Sequence, residues 1–398
     1  MKKFILAVTM LTLAVTIAPT QAQTFKPLHQ FDSDRDGAFS EGAVLRDAAG
    51  NLYGTTTSGA LGFDNGIVFK IDSTGRETVL FAFDDFVSGT FPTGNLIQDA
   101  AGNLYGIAEG GPGGAGVAYK LSPQGEQTLL FSFQGGLHNH TAKGPAGGLF
   151  MDKAGNILGT AQFGSDLSCQ LGCGSVFRLD TTGKLHLLHK FTSGAQGSSP
   201  IGPLVQDAAG NLYGVAQSGG DLSCPEFFLF PGTGCGVVFK LGKNLELTVL
   251  HAFKGGKDGA VPQAGLLLDA SGNLFGTALK GGNSENGTVF KISANGIYRV
   301  LHRFSGKDGT NPNGSLVSDP DGNLYGTAQL GGTQNLGTAF QLSPIGELKV
   351  LHNFKGLKDG ASPFAGLTRD QAGHLYGTTV KNFLIQQIQG GSVFEITP

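Results

Sequence analysis

The chain has 398 residues, of which 66 are glycine, and charged residues make up only 14% of it. A formal charge of -3 provides no basic surface for nucleic acid, and the glycines lack the three-residue period of collagen. With 40% hydrophobic residues and 29 phenylalanines the chain can bury a large core. The composition therefore favours an all-β protein of short strands and tight turns.

The first 22 residues have the order of a secretory signal peptide. Lys2 and Lys3 precede an apolar run from Phe4 to Ala18, and small residues before position 23 offer a cleavage site. The run is shorter than the roughly 20 apolar residues that a spanning helix needs. We therefore expect residues 1–22 to be removed. Residues 23–398 would then form one domain, a secreted or periplasmic monomer with no transmembrane anchor.

Three sequence elements each recur seven times along the rest of the chain. The first is Gly-Asn-Leu-Tyr-Gly or a close variant, and its copies, which define repeats 1 to 7, start at Gly50, Gly102, Gly155, Gly210, Gly272, Gly322 and Gly373. The second resembles Val68-Phe69-Lys70-Ile71, and the third is Leu-His-x-Phe or Leu-Phe-x-Phe, as at Leu250. Copies about 50 residues apart are typical of propellers and solenoids.

One repeat, read from Gln263 to Gly309, predicts a four-stranded sheet. The predicted strands are Ala264 to Leu268, Asn273 to Ala278, Thr288 to Ile292 and Ile297 to Phe304. Four-stranded sheets at this period are the blades of a propeller. The mature chain opens with Leu28 to Phe31, which has the pattern of a fourth strand, and it stops after a third strand at Val393 to Ile396. We expect a seven-bladed β-propeller in which the N-terminal strand completes the last blade and closes the ring.

The repeated residues resemble a known family. Asp47 to Thr55, with the sequence Asp-Ala-Ala-Gly-Asn-Leu-Tyr-Gly-Thr, and Gly66 to Lys70, with the sequence Gly-Ile-Val-Phe-Lys, are similar to the Gloeo/Verruco (GloVer) repeat. That repeat occurs in bacterial proteins called choice-of-anchor tandem repeat proteins. The resemblance implies a secreted repeat protein without an established activity, often fixed to the envelope by a C-terminal sorting domain. No such domain is evident after the seventh repeat, and the family supplies no catalytic residues.

The connections between strands differ between the two ends of the predicted propeller. The turns between strands one and two, and three and four, are uniform from repeat to repeat, whereas the loops at the opposite end vary. Recognition usually lies on variable loops that a rigid scaffold holds. In the variable loop of repeat 4, Phe227, Phe228 and Phe230 form an apolar run. We expect these rings either to contact a partner or ligand, or to fold back over the mouth of the propeller.

Four cysteines lie in the same variable loop of two successive repeats. Cys169 and Cys173 belong to repeat 3, and Cys224 and Cys235 belong to repeat 4. In an exported chain they favour disulfides, and the equivalence of the two loops favours one bond within each loop. A tetrathiolate zinc site is the alternative, although the spacings differ from those of common zinc sites.

Asp32, Asp34 and Asp36 place carboxylates at alternate positions before Gly37, as calcium loops do. The position that holds a glutamate in an EF-hand is Ala43, so the segment is not an EF-hand. Lys-Asp-Gly turns in later repeats, such as Lys307-Asp308-Gly309, occupy the equivalent place. A calcium site and an ordinary repeat turn are thus both compatible with the pattern, and no other cofactor is predicted.

Three functional classes are compatible with these patterns. The chain lacks the motifs of nucleotide-binding, serine hydrolase and zinc protease sites, and the first strands offer few acidic or basic groups to the axis. The histidines of Leu-His-x-Phe share their position with Phe81 and Phe131, which suggests packing. These patterns favour a non-catalytic binding or scaffold propeller that acts on an unidentified extracytoplasmic protein or ligand. A metal-dependent hydrolase or lyase at the axial mouth and a structural envelope component are the alternatives.

Overall fold

The repeated sequence folds into an all-β propeller arrangement of small four-stranded sheets. A computed structural model describes residues 23–32, 35–59, 65–83, 87–135, 142–164, 169, 172–224, 234–356, 359–380 and 390–398. Within these residues helix is limited to three 3₁₀ turns, at Gly194–Gln196, Gly256–Asp258 and Asn283–Glu285. No helix in this part of the chain is long and apolar enough to cross a bilayer.

Each repeat contributes strands in the order that the sequence predicts, and each strand pairs antiparallel with its chain neighbour. Repeat 1 forms β2 (Leu45–Arg46), β3 (Leu52–Thr56), β4 (Ile67–Ile71) and β5 (Glu77–Ala82). Repeat 2 forms β6 (Pro92–Gln98), β7 (Leu104–Ala108), β8 (Gly114–Leu121) and β9 (Gln127–Gln134). Repeat 3 forms β10 (Ala142–Met151), β11 (Ile157–Gly164), β12 (Ser175–Leu179) and β13 (Leu185–Lys190). Repeat 4 forms β14 (Ser198–Gln206), β15 (Leu212–Ser218), β16 (Val237–Leu241) and β17 (Leu247–Ala252).

The remaining repeats have a shorter first strand. Repeat 5 forms β18 (Leu267–Leu268), β19 (Leu274–Ala278), β20 (Thr288–Ile292) and β21 (Tyr298–Arg303). Repeat 6 forms β22 (Val317–Ser318), β23 (Leu324–Ala328), β24 (Thr338–Leu342) and β25 (Leu348–Asn353). Repeat 7 forms β26 (Thr368–Arg369), β27 (Leu375–Thr379) and β28 (Ser392–Thr397). The N-terminal strand β1 (Thr24–Gln30) pairs antiparallel with β28, from Thr24 opposite Thr397 to Gln30 opposite Ser392.

The sequence predicts seven blades, but the described residues do not divide into seven sheets, because repeats 2 and 3 share one. The described residues form five separate four-stranded sheets and one eight-stranded sheet, which contains β6 to β13. The two halves of the large sheet meet through one parallel bridge between Asn95 and Gly148. Because Gly148 has no side chain, the innermost strands of the two repeats approach closely enough to share this bridge.

Aromatic rings connect each sheet to the next. A phenylalanine that follows the fourth strand of one sheet meets, edge to face, an aromatic residue on the third strand of the next, with ring centroids 5.0 to 5.3 Å apart. The pairs are Phe31–Phe69, Phe83–Tyr119, Phe133–Phe177, Phe191–Phe239, Phe253–Phe290, Phe304–Phe340 and Phe354–Phe394. We call these rings the aromatic belt. Nearly all of the belt is fully buried, so it forms much of the core between sheets.

Candidate functional site: an axial cavity

In each repeat, a short segment at the first strand lies near the axis. The seven segments can be aligned on a buried Leu or Val. This residue is Leu96 in repeat 2 and Leu316 in repeat 6. The residue three positions before this Leu or Val is different in each of the seven repeats. We call its place the variable axial position. Its occupants are Glu41, Thr93, Ala146, Ile201, Gln263, Asn313 and Phe364.

All seven occupants of the variable axial position line a single cavity of about 710 Å³. Residues in or beside the variable connections of repeats 2 and 3 complete its wall, including Glu109 after β7, Lys143 in β10 and Gln162 in β11. We call this space the axial cavity. It therefore lies at the end of the propeller that carries the variable loops, away from the uniform turns. Its volume is within the range of sites that bind small molecules.

Small residues that directly follow the variable axial position in the sequence let the innermost segments of different repeats pack closely. A Cβ atom at Gly94 would lie 2.7 Å from the backbone nitrogen of Gly148, and one at Gly202 would lie 2.9 Å from that of Gly265. Both Gly94 and Gly202 have positive φ angles, +71° and +80°, which side chains disfavour. Glycine at these places lets adjacent segments pack against each other at the wall of the cavity.

Two carboxylates from neighbouring repeats face the axial cavity. Burial raises the pKa of the Glu41 carboxyl, and the negative charge of Glu109 raises it further. The pKa of Glu109 is also raised, although much of its side chain is exposed, because nearby protein atoms displace part of its surrounding water. Within the described residues, the side chain of neither glutamate makes a hydrogen bond or an ion pair. Their ionised forms are therefore less stable than those of ordinary surface glutamates.

Amide side chains add further polar groups to the wall. Gln263 Nε2 donates a hydrogen bond of 3.1 Å to Oε1 of Gln217, which lies in the second strand of repeat 4. Asn95 Oδ1 accepts a hydrogen bond of 2.8 Å from the backbone nitrogen of Ala43, so it holds two adjacent repeats together. Asn313 Oδ1 is buried and accepts no hydrogen bond within the described part of the chain.

Apolar side chains occupy other parts of the wall. Phe163, Ile201 and Phe364 all line the axial cavity and are half-buried. The cavity thus combines carboxylates, amides and aromatic rings, so it can hold a molecule with both a polar and an apolar part.

Sequence reasoning missed most of this wall. The sequence predicts that the first strands offer few acidic or basic groups to the axis, as in the segments that begin at Gly94 and Gly314. Thr93 and Asn313, immediately before those glycines, line the cavity. An alignment of all seven repeats on the buried Leu or Val shows one position that is different in every repeat. The residues on either side of it change little.

The residues predicted to form an apolar contact patch or a calcium loop are only partly described. Phe227, Phe228 and Phe230 lie outside the described residues, as does Asp34. Asp36 accepts a hydrogen bond on Oδ2 from His29 Nε2, with 2.9 Å between the atoms. Asp32 forms an exposed ion pair with Arg35 at 3.7 Å. No group of three or more acidic, histidine or cysteine residues in the described chain could hold a metal, and calcium binding stays a prediction.

The four cysteines form two disulfide bonds, Cys169–Cys173 and Cys224–Cys235. Their Cα atoms are 5.1 and 5.8 Å apart. These are the pairs that the equivalence of the two loops favours. Each bond closes a variable connection at the end where the axial cavity lies.

The histidines of Leu-His-x-Phe do more than pack. His251 stacks on the ring of Tyr298, with centroids 3.5 Å apart, and its Nε2 lies 2.9 Å from Asp258 Oδ2. The equivalent pairs, joined by the same bond, are His29–Asp36, His302–Asp308 and His352–Asp359. These aspartates belong to the Asp-Gly turns seen in the sequence. The bonds connect the fourth strand with the turn that leads into the next repeat and do not face the axial cavity.

At the uniform end, one hydrogen-bond pattern recurs around the molecule. In repeat 6 the Asp319 carboxylate accepts bonds of 2.8 Å from the backbone and side-chain nitrogens of Asn323 and one of 2.9 Å from the Tyr325 hydroxyl. Burial raises the pKa of Tyr325 to about 12, and the bond to Asp319 raises it too. Burial alone would raise the pKa of Asp319, but its hydrogen bonds outweigh burial and lower it. This pattern closes the turn between the first two strands and explains the repeated Asp, Asn and Tyr.

Comparison with known proteins identifies the repeat. The model of the Gloeobacter/Verrucomicrobia repeat matches residues 14–169 and 227–398, which is most of the chain. A sequence search of curated proteins gives no significant match.

Solved structures share the fold at low sequence identity. The extracellular domain assigned to the hybrid two component system BT4673 from B. thetaiotaomicron is 13% identical, with a TM-score of 0.55. The match covers 95% of this chain but only 42% of that structure, so the chain spans less than half of its length. A gluconolactonase from Xanthomonas campestris is 16% identical over 81% of this chain and 91% of its own, with a TM-score of 0.45. A luciferin-regenerating enzyme is 13% identical over 95% and 96%, also with a TM-score of 0.45. At a TM-score of 0.45 neither similarity indicates an activity for this chain.

Proposed function

The chain belongs to the Gloeobacter/Verrucomicrobia repeat family, and on this basis we propose that it is an exported seven-bladed propeller that binds a small ligand in its axial cavity. The cavity carries the proposal. Seven equivalent positions with seven different side chains face one open cavity, while the adjacent positions are uniformly small or apolar. A purely structural repeat would need no such variation at its axis.

A closed ring is supported by contacts between repeats 7 and 1. Thr378 Oγ1 donates a hydrogen bond of 3.0 Å to the carbonyl oxygen of Gly42, and Arg46 forms an ion pair of 3.6 Å with Asp370. The belt contact between Phe31 and Phe69 joins the same two sheets. If each half of the eight-stranded sheet is one blade, the ring has seven blades. A closed ring holds the cavity wall rigidly, which lowers the entropy lost on binding.

Export is supported by the disulfides and by the leader-like N-terminus. Both disulfides close loops at the cavity end, and such bonds persist in oxidising compartments. The order of charged, apolar and small residues in positions 1–22 is that of a signal peptide. A ligand from outside the cytoplasm would thus reach the cavity without crossing the inner membrane.

Ligand-observed NMR with a library of organic cations, anions, polyols and neutral aromatics tests the proposal. We expect at least one compound to bind the mature protein and to bind Ala146→Trp more weakly, because the new ring fills part of the axial cavity. Phe364 shows that the backbone at this position accommodates an aromatic residue. Ala49→Trp, on an exposed uniform turn, is the matched control and should bind like the unaltered protein.

Two results would change the conclusion. If no compound distinguishes Ala146→Trp from Ala49→Trp, the axial cavity is not a ligand site. If a bound compound is converted during the experiment, the site is catalytic, and a binding role alone is then wrong.

A further inference from the structure

We propose that the axial cavity selects an organic cation, with an ammonium group held near Glu41 and Glu109 and an apolar part packed on the aromatic side of the wall. This inference rests on the proposed function and adds the chemical class of the ligand. It follows from which polar atoms of the wall lack a partner, and from their charge.

The charged groups of the described wall that have no partner are both carboxylates. The carboxylates of Glu41 and Glu109 receive no hydrogen bond within the described residues, and neither does Asn313 Oδ1. The amide donor of Gln263 is already used by Gln217. A ligand group placed beside these two carboxylates must bring donors, which an ammonium group or a polyol could supply.

Charge favours the ammonium group over the polyol. The charged residues of the described wall are Glu41, Glu109 and Lys143, so carboxylates outnumber cations. Lys143 already has an interaction within the protein. The negative charge of Glu109 disfavours the ionised form of Glu41, and a cation bound beside them would offset that repulsion. A neutral polyol would donate hydrogen bonds but would leave the repulsion in place.

The apolar part of the ligand has a defined place in the wall. Phe163, Ile201 and Phe364 line the same cavity as the two glutamates. Their surfaces remain partly exposed, so a ring or an alkyl group that covers them leaves water. A cavity of about 710 Å³ has room for a molecule with one or two rings.

The direction of the pKa shifts predicts how the affinity for a cation changes with pH. The pKa values of both glutamates are raised in the ligand-free cavity, and the bound cation favours their ionised forms. Binding then releases protons at mildly acidic pH, so affinity should rise between pH 4.5 and 7. Lys143 is the remaining charged residue of the described wall.

Three probes of similar size separate the possible ligand classes: phenethylamine, 2-phenylethanol and 3-phenylpropanoate. Isothermal titration of the mature protein at pH 7 should show phenethylamine binding about tenfold or more tightly than the alcohol, with the carboxylate weakest. Glu41→Gln and Glu109→Gln should each weaken phenethylamine about tenfold and change the alcohol little. Glu347→Gln, in an exposed turn of the uniform end, is the matched control and should change neither.

The outcomes separate this inference from the proposed function. If 2-phenylethanol, or glucose as a polyol probe, binds as tightly as phenethylamine, or if the two glutamine variants bind phenethylamine normally, the cation inference is wrong. If in that case Ala146→Trp still weakens the neutral probe, the cavity remains a ligand site of another class. If phenethylamine does not bind at all, the cation inference is wrong, and the library experiment with Ala146→Trp decides the proposed function separately.

Discussion

The uniform positions of the repeat and its variable axial position lie in the same sheets but obey different constraints. At the uniform end, Asp319 and its equivalents satisfy neighbouring donors within a few residues of their own turn. At the axis, Glu41 and Asn313 face an open cavity and have no such local partner. Residues that close a turn are nearly the same in every repeat, whereas residues that face the shared space differ. The comparison teaches that in a repeat protein the positions that differ between copies are where function should be sought.

The largest effect on stability should follow from removing one ring of the aromatic belt. Phe304 is fully buried and meets Phe340 of the next sheet at 5.3 Å, so Phe304→Ala leaves a cavity and should cost about 3–5 kcal/mol of unfolding free energy. Phe364→Ala is the matched change at the variable axial position. Because Phe364 is already half exposed to the axial cavity, it should cost well under half as much. Urea denaturation of both variants measures the difference, and equal losses would contradict the distinction between the two kinds of position.

A smaller effect should follow from removing one turn carboxylate. Asp319→Ala leaves the donors of Asn323 and Tyr325 without an acceptor and should cost about 1–3 kcal/mol. The folded-state pKa of Asp319 is lowered, so the stability it contributes is present above its unfolded pKa and is lost as the pH falls through the folded value. Urea denaturation between pH 3 and 7 should show the gap between the unaltered protein and the variant narrowing toward acid. A gap that is constant with pH would contradict this role for the ionised carboxylate.

The smallest effect, and one of opposite sign, is expected at the axial cavity. The folded-state pKa of Glu41 is raised, so this group destabilises the fold increasingly as the pH rises from its unfolded pKa through its folded one. Glu41→Gln removes that loss and should unfold at the same or a slightly higher temperature at pH 7. Glu347→Gln, on the exposed surface, should leave the melting temperature unchanged. A clear destabilisation by Glu41→Gln would show that Glu41 supports the fold and would remove it from the proposed site.

Much of the fold could be predicted because the same sequence pattern occurs in each of the seven repeats. Seven copies of Gly-Asn-Leu-Tyr-Gly located the second strands, and the unpaired strand at Leu28 indicated the pairing that β1 and β28 make. The bridge between Asn95 and Gly148 could not be predicted, since it depends on how closely two backbones meet at the axis. One local pattern thus fixes strands and turns, whereas contacts between repeats need the assembled structure.

The cavity was harder to predict for the same reason. Glu41 and Glu109 are far apart in the sequence and occupy different positions of their repeats, so no spacing rule brings them together. The role of the histidines was predicted only in part. His302 was expected to pack, and its side chain also forms a hydrogen bond with Asp308. Sequence identifies what each repeat has in common, and the structure is needed to show what the repeats enclose.

The most direct test of the account is a crystal structure of the mature protein soaked with the library compound that binds it most tightly. We predict density for that compound inside the axial cavity, in contact with Glu41 or Phe364 and with residues from at least three repeats. Density on the uniform turns, or between the sheets and away from the axis, would contradict the assignment of the variable axial position as a ligand site.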